Sequence, residues 1–250
     1  MTRIILTGAC GHMGKVIQSV VENKEDCQIV AGVDKYDDNA ASFPVYATLG
    51  EVNEEADVII DFSNPSLLDD LLSFAINNKT AVVIATTGYD ECQKKKIADA
   101  SKQCPIFFTY NMSLGINLLA SLAKKAVQIL GNDFDIEIVE QHHNQKIDAP
   151  SGTALMLADA ISEEFDNPMK YEYDRHSKRE KRTKNEIGIH SIRGGTIVGE
   201  HEIIFAGRDE NITLSHSARS KEVFAVGAVN AAVFMTEKEN GMYDMSGLID

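Results

Sequence analysis

The stretch RIILTGACGHMG, Arg3–Gly14, decides the fold. Four residues, Ile4 to Thr7, form an apolar run that ends in Gly8, and an apolar-periodic segment from Lys15 to Glu22 follows. A continuous apolar run, a glycine turn and a helix make the opening of a βαβ unit. The glycines at 8, 11 and 14 approximate the dinucleotide fingerprint, with Ala9 where its first glycine often stands. Such a turn must be tight, must let backbone approach a pyrophosphate, and must offer the free N–H groups of a helix N-terminus to the anion. Asp34, twenty positions beyond Gly14, ends the next apolar run and suits a ribose diol.

Outward from this turn the same alternation continues. QIVAGVD, ADVIIDF, TAVVIATTG and PIFFTYN are apolar runs separated by helix-like segments, one opening at Pro65 and one spanning Asp90–Gln103. Continuous apolar strands alternating with helices predict a parallel sheet covered on both faces, the doubly wound α/β class. The polar ends ATTGY (Ala85–Tyr89) and TYNMSLG (Thr109–Gly115) fall at the carboxyl ends of strands, where open α/β sheets bind ligands.

The pattern changes after LGINLLASLAKKAVQIL (Leu114–Leu130), which has helical spacing. FDIEIVEQHH alternates like a half-buried strand, and TALMLADAISEEF places Ala154, Leu157, Ala158, Ile161 and Phe165 on one helical face. The segment from Ile187 to Ser217 reads as a three-stranded antiparallel meander, turning at Gly194-Gly195 and between Gly207 and Asn211. A last helix, KEVFAVGAVNAAVFMTEKE, is predicted to return to the first domain. Residues 1–113 and 219–250 are therefore expected to form a dinucleotide-binding domain, and 114–218 an α+β substrate-binding domain with an open mixed sheet.

Between that alternating strand and the helix after it lies EQHHNQKIDAPSGTA (Glu140–Ala154). Strand alternation puts Ile136, Ile138, Glu140 and His142 on one face and His143 on the other. The two rings should therefore have different tasks. They make poor joint ligands, and no Cys/His/Asp set completes a zinc site, so no metal is expected. Proton transfer together with anion binding fits better. Histidine exchanges protons near neutral pH and Lys146 can donate one. Ser151, Gly152 and Thr153 open a helix whose N–H groups suit a carboxylate.

Composition narrows the partners. The chain has 250 residues and a formal charge of −14, a poor match to a nucleic-acid backbone. No run approaches the roughly 18–20 apolar residues of a membrane span. MTRIILTGACG lacks a signal-peptide pattern, so a cytoplasmic protein is expected. The basic cluster Arg175, Lys178, Arg179, Lys181, Arg182 and Lys184 reads as a solvated loop. Cys10, Cys27, Cys92 and Cys104 have no metal-ligand spacing and are expected to be reduced packing thiols.

With these residues in hand, the chain resembles the 4-hydroxy-tetrahydrodipicolinate (dihydrodipicolinate) reductase family of diaminopimelate and lysine biosynthesis. The resemblance runs the whole length. EQHHNQKIDAPSGTA is similar to that family's E-x-H-H-x-x-K-x-D-x-P-S-G-T-A signature, and GACGHMG, ATTG, NMSLG, RGGTIVGEH and GMYDMSGLI also match. It implies hydride transfer from NADH or NADPH to a cyclic dicarboxylate, followed by protonation of the neighbouring ring carbon. It implies His142 as the acid/base, Lys146 as proton donor, and His143, Gly152 and Thr153 as substrate contacts. Cofactor contacts would fall at Gly8, Ala9, Cys10, Gly11, His12, Met13, Asp34, Lys35, Ala85, Thr86, Thr87, Thr109, Tyr110, Asn111 and Met112. It also implies a homotetramer joined through the substrate-domain sheets. The family often has Gly at the position of Ala85 and Phe at that of Met112. Asp34 would bond the ribose of NADH, while the flexible Lys35 attracts the extra phosphate of NADPH, so both cofactors are expected, with a modest NADH preference. The rival readings are another two-domain dehydrogenase of an amino acid or sugar, and a nicotinamide-sensing protein that would not need both His142 and Lys146.

Overall fold

The computed structural model of the chain describes residues 1–36 and 39–249. Residues 37, 38 and 250, which fall within the expected cofactor domain, lie outside the described residues. The chain divides into two compact units, Met1–Ser113 with Glu222–Asp250, and Leu114–Lys221.

The first unit begins with β1 (Thr2–Thr7), the glycine turn and α1 (His12–Glu22). It continues through β2 (Cys27–Val33), β3 (Val45–Tyr46), β4 (Val58–Asp61), α2 (Leu68–Asn78), β5 (Ala81–Ile84), α3 (Glu91–Ala100) and β6 (Pro105–Phe108). The strands form one parallel sheet ordered β3-β2-β1-β4-β5-β6, with a seventh strand from the chain's end beside β6. Ile4, Ile5 and Leu6 are at most 1% exposed, as a central strand covered on both faces requires. The order reverses direction between β1 and β4, and the crevice of such a sheet opens at the carboxyl ends of those two strands.

The second unit holds α4 (Leu114–Leu130), β7 (Asp135–His142), α5 (Gly152–Ser162), β8 (Lys170–Glu172), β9 (Glu186–Arg193), β10 (Gly199–Ala206) and β11 (Asn211–Ala218). Its sheet is ordered β11-β10-β7-β9-β8. Ile116, Leu119, Ala123 and Val127 of α4 pack with Ala154, Leu157, Ala158 and Ile161 of α5 over Ile136, Ile138, Ile189, Ile203 and Phe205 of the sheet. Burying each large aliphatic contributes about 1.5–3 kcal/mol, so this face holds the strand register firmly. The chain closes with α6 (Glu222–Met235) and β12 (Gly241–Tyr243), both in the first unit. Of α6, Ala225, Gly227, Ala228, Val229, Ala231, Ala232 and Met235 are buried, so it is apolar on more than one face.

Three expectations are corrected. The segment from Ile187 onward is not a meander. β7 lies between β9 and β10, parallel to the first and antiparallel to the second. The Gly194-Gly195 segment is a crossing past the end of β7, where Gly194 N–H donates to the His142 carbonyl at 2.9 Å and Asn144 N–H to that of Gly195 at 3.2 Å. The basic loop is not simply solvated. Arg182 is 17% exposed and bonds Glu137, Asp135 and the carbonyls of Ile136 and Glu186. Arg175 pairs with Glu137 and Glu186, and Lys178 with Glu172, because the outer carboxylates of this sheet need cations. Of the cysteines, Cys27 and Cys104 are buried, whereas Cys10 is half-buried and Cys92 exposed, so packing explains only the first two.

Candidate active site

The candidate cofactor site of the first unit is shaped by what glycine lacks. Gly8 has φ +75, and a Cβ there would stand 2.4 Å from the Phe62 carbonyl oxygen. A Cβ on Gly14 would stand 2.2 Å from the Gly8 oxygen and 2.3 Å from that of Ala9. Both positions therefore hold the turn closed. Gly11 differs: its Cβ would meet nothing nearer than the Gly8 oxygen at 3.3 Å. Gly11 is also the N-cap of α1, and no side chain caps that helix. A helix start with no capping side chain, beside space a Cβ would fill, fits a pyrophosphate. Asp34 lies beside this turn, its Oδ2 accepting the Cys10 N–H at 3.0 Å and its Oδ1 the Tyr36 N–H at 3.3 Å.

The other expected cofactor residues lie at strand ends of the same sheet. Ala85, Thr86 and Thr87 follow β5, with Thr86 buried and Thr87 exposed. Thr109 to Met112 follow β6. Asn111 and Met112 are buried and Tyr110 is 69% exposed. Gly227 of α6 shapes this loop: a Cβ there would lie 1.7 Å from the Met112 carbonyl oxygen. His12 and Lys35 are exposed and Ala9 is fully buried. Beneath the turn, Asp61 is 1% exposed at the end of β4 and accepts the hydroxyls of Thr7 and Ser63.

The candidate site of the second unit is shaped by protons. β7 keeps its alternation, and its buried face changes along the strand from Ile136 and Ile138 to Glu140 and His142. Glu140 is fully buried. Its Oε2 accepts His142 Nδ1–H at 2.5 Å and Arg193 Nη1–H at 2.8 Å. Its Oε1 accepts Arg193 Nη2–H at 2.7 Å and the Ser151 N–H at 3.1 Å. Burial alone would raise the Glu140 carboxyl, but the bonds from Arg193, Ser191, His142 and Ser151 outweigh it and hold it down at about 2. A carboxylate can only accept, so His142 carries a proton on Nδ1. A Cβ on Gly199 would lie 3.2 Å from His142 Nε2, so a glycine there leaves room beside that nitrogen.

Lys146 pairs with Asp148 at 2.8 Å, but Asp148 is 58% exposed. Such a pair contributes about 0–1 kcal/mol and leaves the ammonium able to leave it. His143 is half-buried and lies one residue past the end of β7. Gly152 and Thr153 open α5. Nothing lies within 4 Å of where a Gly152 Cβ would be, so a carboxylate can approach the N–H groups directly. Ser151, expected among the substrate contacts, is 2% exposed. Its Oγ accepts the Ala154 N–H and lies 3.2 Å from His201 Nε2, so its hydroxyl serves the helix cap.

Sequence reading missed Arg193 and His201 and gave Glu140 no task. Glu140 had a signal, since a carboxylate on the apolar face of a strand requires a partner. The other two reach the site by register alone: Arg193 stands opposite His142 on β9, and His201 opposite Glu140 on β10.

Comparison with known proteins bears on both units. Residues 2–112 match the family described as "Dihydrodipicolinate reductase, N-terminus", and residues 115–249 the one described as "Dihydrodipicolinate reductase, C-terminus". A 4-hydroxy-tetrahydrodipicolinate reductase of Caldanaerobacter subterraneus is 53% identical over 249 residues, 100% of this chain and 98% of that one. One from Clostridium novyi is 49% identical with the same coverage. The solved structure of dipicolinate-bound dihydrodipicolinate reductase from Paenisporosarcina sp. TG-14 superposes with a TM-score of 0.81 at 26% identity, over 98% of this chain and 97% of that one.

Proposed function

The chain belongs to the dihydrodipicolinate reductase family, and from that membership we propose how its two units divide the reaction. It reduces 4-hydroxy-tetrahydrodipicolinate to tetrahydrodipicolinate with NAD(P)H, a step of diaminopimelate and lysine biosynthesis. When bound, the reduced nicotinamide supplies the hydride.

In this reading the first unit only holds and orients. The N–H groups at the start of α1 bind the pyrophosphate, Asp34 the ribose, and the loops at Ala85–Thr87 and Thr109–Met112 the remainder. The second unit binds substrate and moves the proton. Gly152 and Thr153 hold one carboxylate at the α5 N-terminus, with His143 beside them. Ser151 supports that end as its cap. His142, its tautomer fixed by Glu140, and Lys146, loosely paired with Asp148, supply the proton that the ring takes up next to the reduced carbon. The observation that supports this division is the buried Glu140 carboxylate, which fixes a proton on Nδ1 of His142. Structural ion pairing explains Glu140–Arg193 but gives no reason for His142 on the same carboxylate, nor for Lys146 four residues on.

Both cofactors should work, with NADH modestly preferred. Asp34 lies against the glycine turn and its charge opposes an added phosphate, while the exposed Lys35 attracts that phosphate only through a mobile point charge. The chain also assembles, in this reading, as a homotetramer through the second sheet, whose edge strand β11 carries five exposed or half-buried polar side chains. The test is kcat/KM for each cofactor with enzymatically generated substrate, in wild type and in Lys35→Ala. Lys35→Ala should impair NADPH use far more than NADH use. A wild-type preference for NADPH above about tenfold, roughly 1.4 kcal/mol, would contradict the placement of Asp34.

A further inference from the structure

His201 sits on β10 directly across from Glu140, on the face that carries His142. It is 4% exposed. Its ring stands edge-on to that of His142, with centroids 5.3 Å apart and planes at 76°. Nε2 lies 3.2 Å from Ser151 Oγ. Nδ1 is buried and has no hydrogen-bond partner among the described residues.

A proton count decides how this ring is arranged. Ser151 Oγ already accepts the Ala154 N–H at 3.2 Å. Suppose His201 carried its proton on Nε2 and donated it to Oγ. The Ser151 hydroxyl hydrogen would then have no acceptor, and the Nδ1 lone pair would also be unmet. With the proton on Nδ1 instead, the hydroxyl donates to Nε2 and a single donor stays unpaired. One buried unpaired group costs less than two. A doubly protonated ring would leave the hydroxyl hydrogen without an acceptor and add a buried charge.

We infer that His201 is a positioning residue: neutral and protonated on Nδ1, it accepts the Ser151 hydroxyl through Nε2 and fastens the start of α5 to the sheet beside His142. The consequence is a fixed distance between the carboxylate-binding N–H groups of Gly152 and Thr153 and the ring that exchanges the proton. The inference rests on the reading that those two residues hold a substrate carboxylate. The surroundings agree with a neutral ring. Burial, then the neighbouring His142, push His201 down to about 4; Glu140 opposes this, while His216 across the β10–β11 pair and Lys146 add to it.

Two measurements on the full-length protein test this. The first is the nitrogen spectrum of protein labelled with 15N-histidine, with His201 assigned by its loss in His201→Gln. A neutral Nδ1–H ring from pH 8 down to about 5 is expected. An Nε2–H ring, or one that titrates near 6.5, overturns the inference. The second is calorimetric binding of pyridine-2,6-dicarboxylate to wild type, His201→Gln and His201→Leu. Glutamine keeps an acceptor near the position of Nε2 and leucine does not. His201→Leu should bind about tenfold more weakly, and His201→Gln within about threefold of wild type. Equal affinity in all three overturns the positioning role while leaving the carboxylate site intact. A wild type that does not bind the dicarboxylate overturns the carboxylate site itself. If His201→Leu does not fold, the ring tautomer and the His201→Gln affinity still decide.

Discussion

At the glycine turn of the first unit, one added methyl group would stand 2.2 Å from the Gly8 carbonyl oxygen, against backbone that has nowhere to go. At the start of α5 in the second unit, the space beside Gly152 is open to 4 Å, and what matters there is where each proton sits. The first site selects by backbone shape, which needs glycines at fixed spacing and little else. The second selects by charge and tautomer, which needs a buried carboxylate and a cation brought to it from a neighbouring strand. Damage to the first should therefore be steric, and damage to the second electrostatic and dependent on pH.

The largest expected effect is at Glu140. Glu140→Gln removes the charge that faces Arg193 and leaves a guanidinium mostly buried without its counter-ion. Breaking such a pair costs about 3–5 kcal/mol, read as a fall in unfolding free energy in a denaturant titration. The pH dependence follows the same group. Its folded pKa, about 2, lies below the ordinary carboxyl value of 4.5. The stability it contributes is complete above that ordinary value and is lost as pH falls through the folded one. Wild type should thus lose on the order of 3 kcal/mol between roughly pH 5 and 2 that the variant lacks. A variant as stable as wild type, with the same acid limb, would mean that Glu140 is not the centre of the network.

Next comes the turn. Gly14→Ala should cost about 1–3 kcal/mol of stability by overpacking and weaken NADH binding without altering the pH dependence of turnover. Fluorescence titration of NADH reads the binding. A change in the acid limb of kcat instead would blur the separation between the two sites. The smallest effect is Thr153→Val, which keeps the shape and deletes one hydroxyl. It should weaken pyridine-2,6-dicarboxylate by about 1–2 kcal/mol in calorimetry and leave NADH affinity alone. Unchanged dicarboxylate affinity would move the carboxylate elsewhere.

The two regions also differ in how far they can be read from sequence. The turn is local: Gly8, Gly11, Gly14 and Asp34 announce it by spacing. The alternation of β7 likewise places Glu140 and His142 on one face. The helix Leu114–Leu130 follows from its periodicity. What escaped is non-local. β9 and β10 are each legible as strands, but their separation by β7 is set by pairing across the sheet, so a glycine pair that suggests a hairpin is instead a crossing. Arg193 and His201 join the site only through that register. β3, β8 and β12 have two or three residues each, too few for any period to show. Gly227 carries no local hint that it makes room for the Met112 carbonyl.

The division between a unit that holds the cofactor and one that moves the proton is tested most directly by His142→Ala and Lys146→Ala, each measured for kcat and for NADH affinity in the same preparation. Both variants should bind NADH within about twofold of wild type while kcat falls by roughly 100-fold or more, the usual range for loss of a general acid or base. Near-normal turnover in both variants, or a loss of NADH affinity that accounts for the fall, would contradict it.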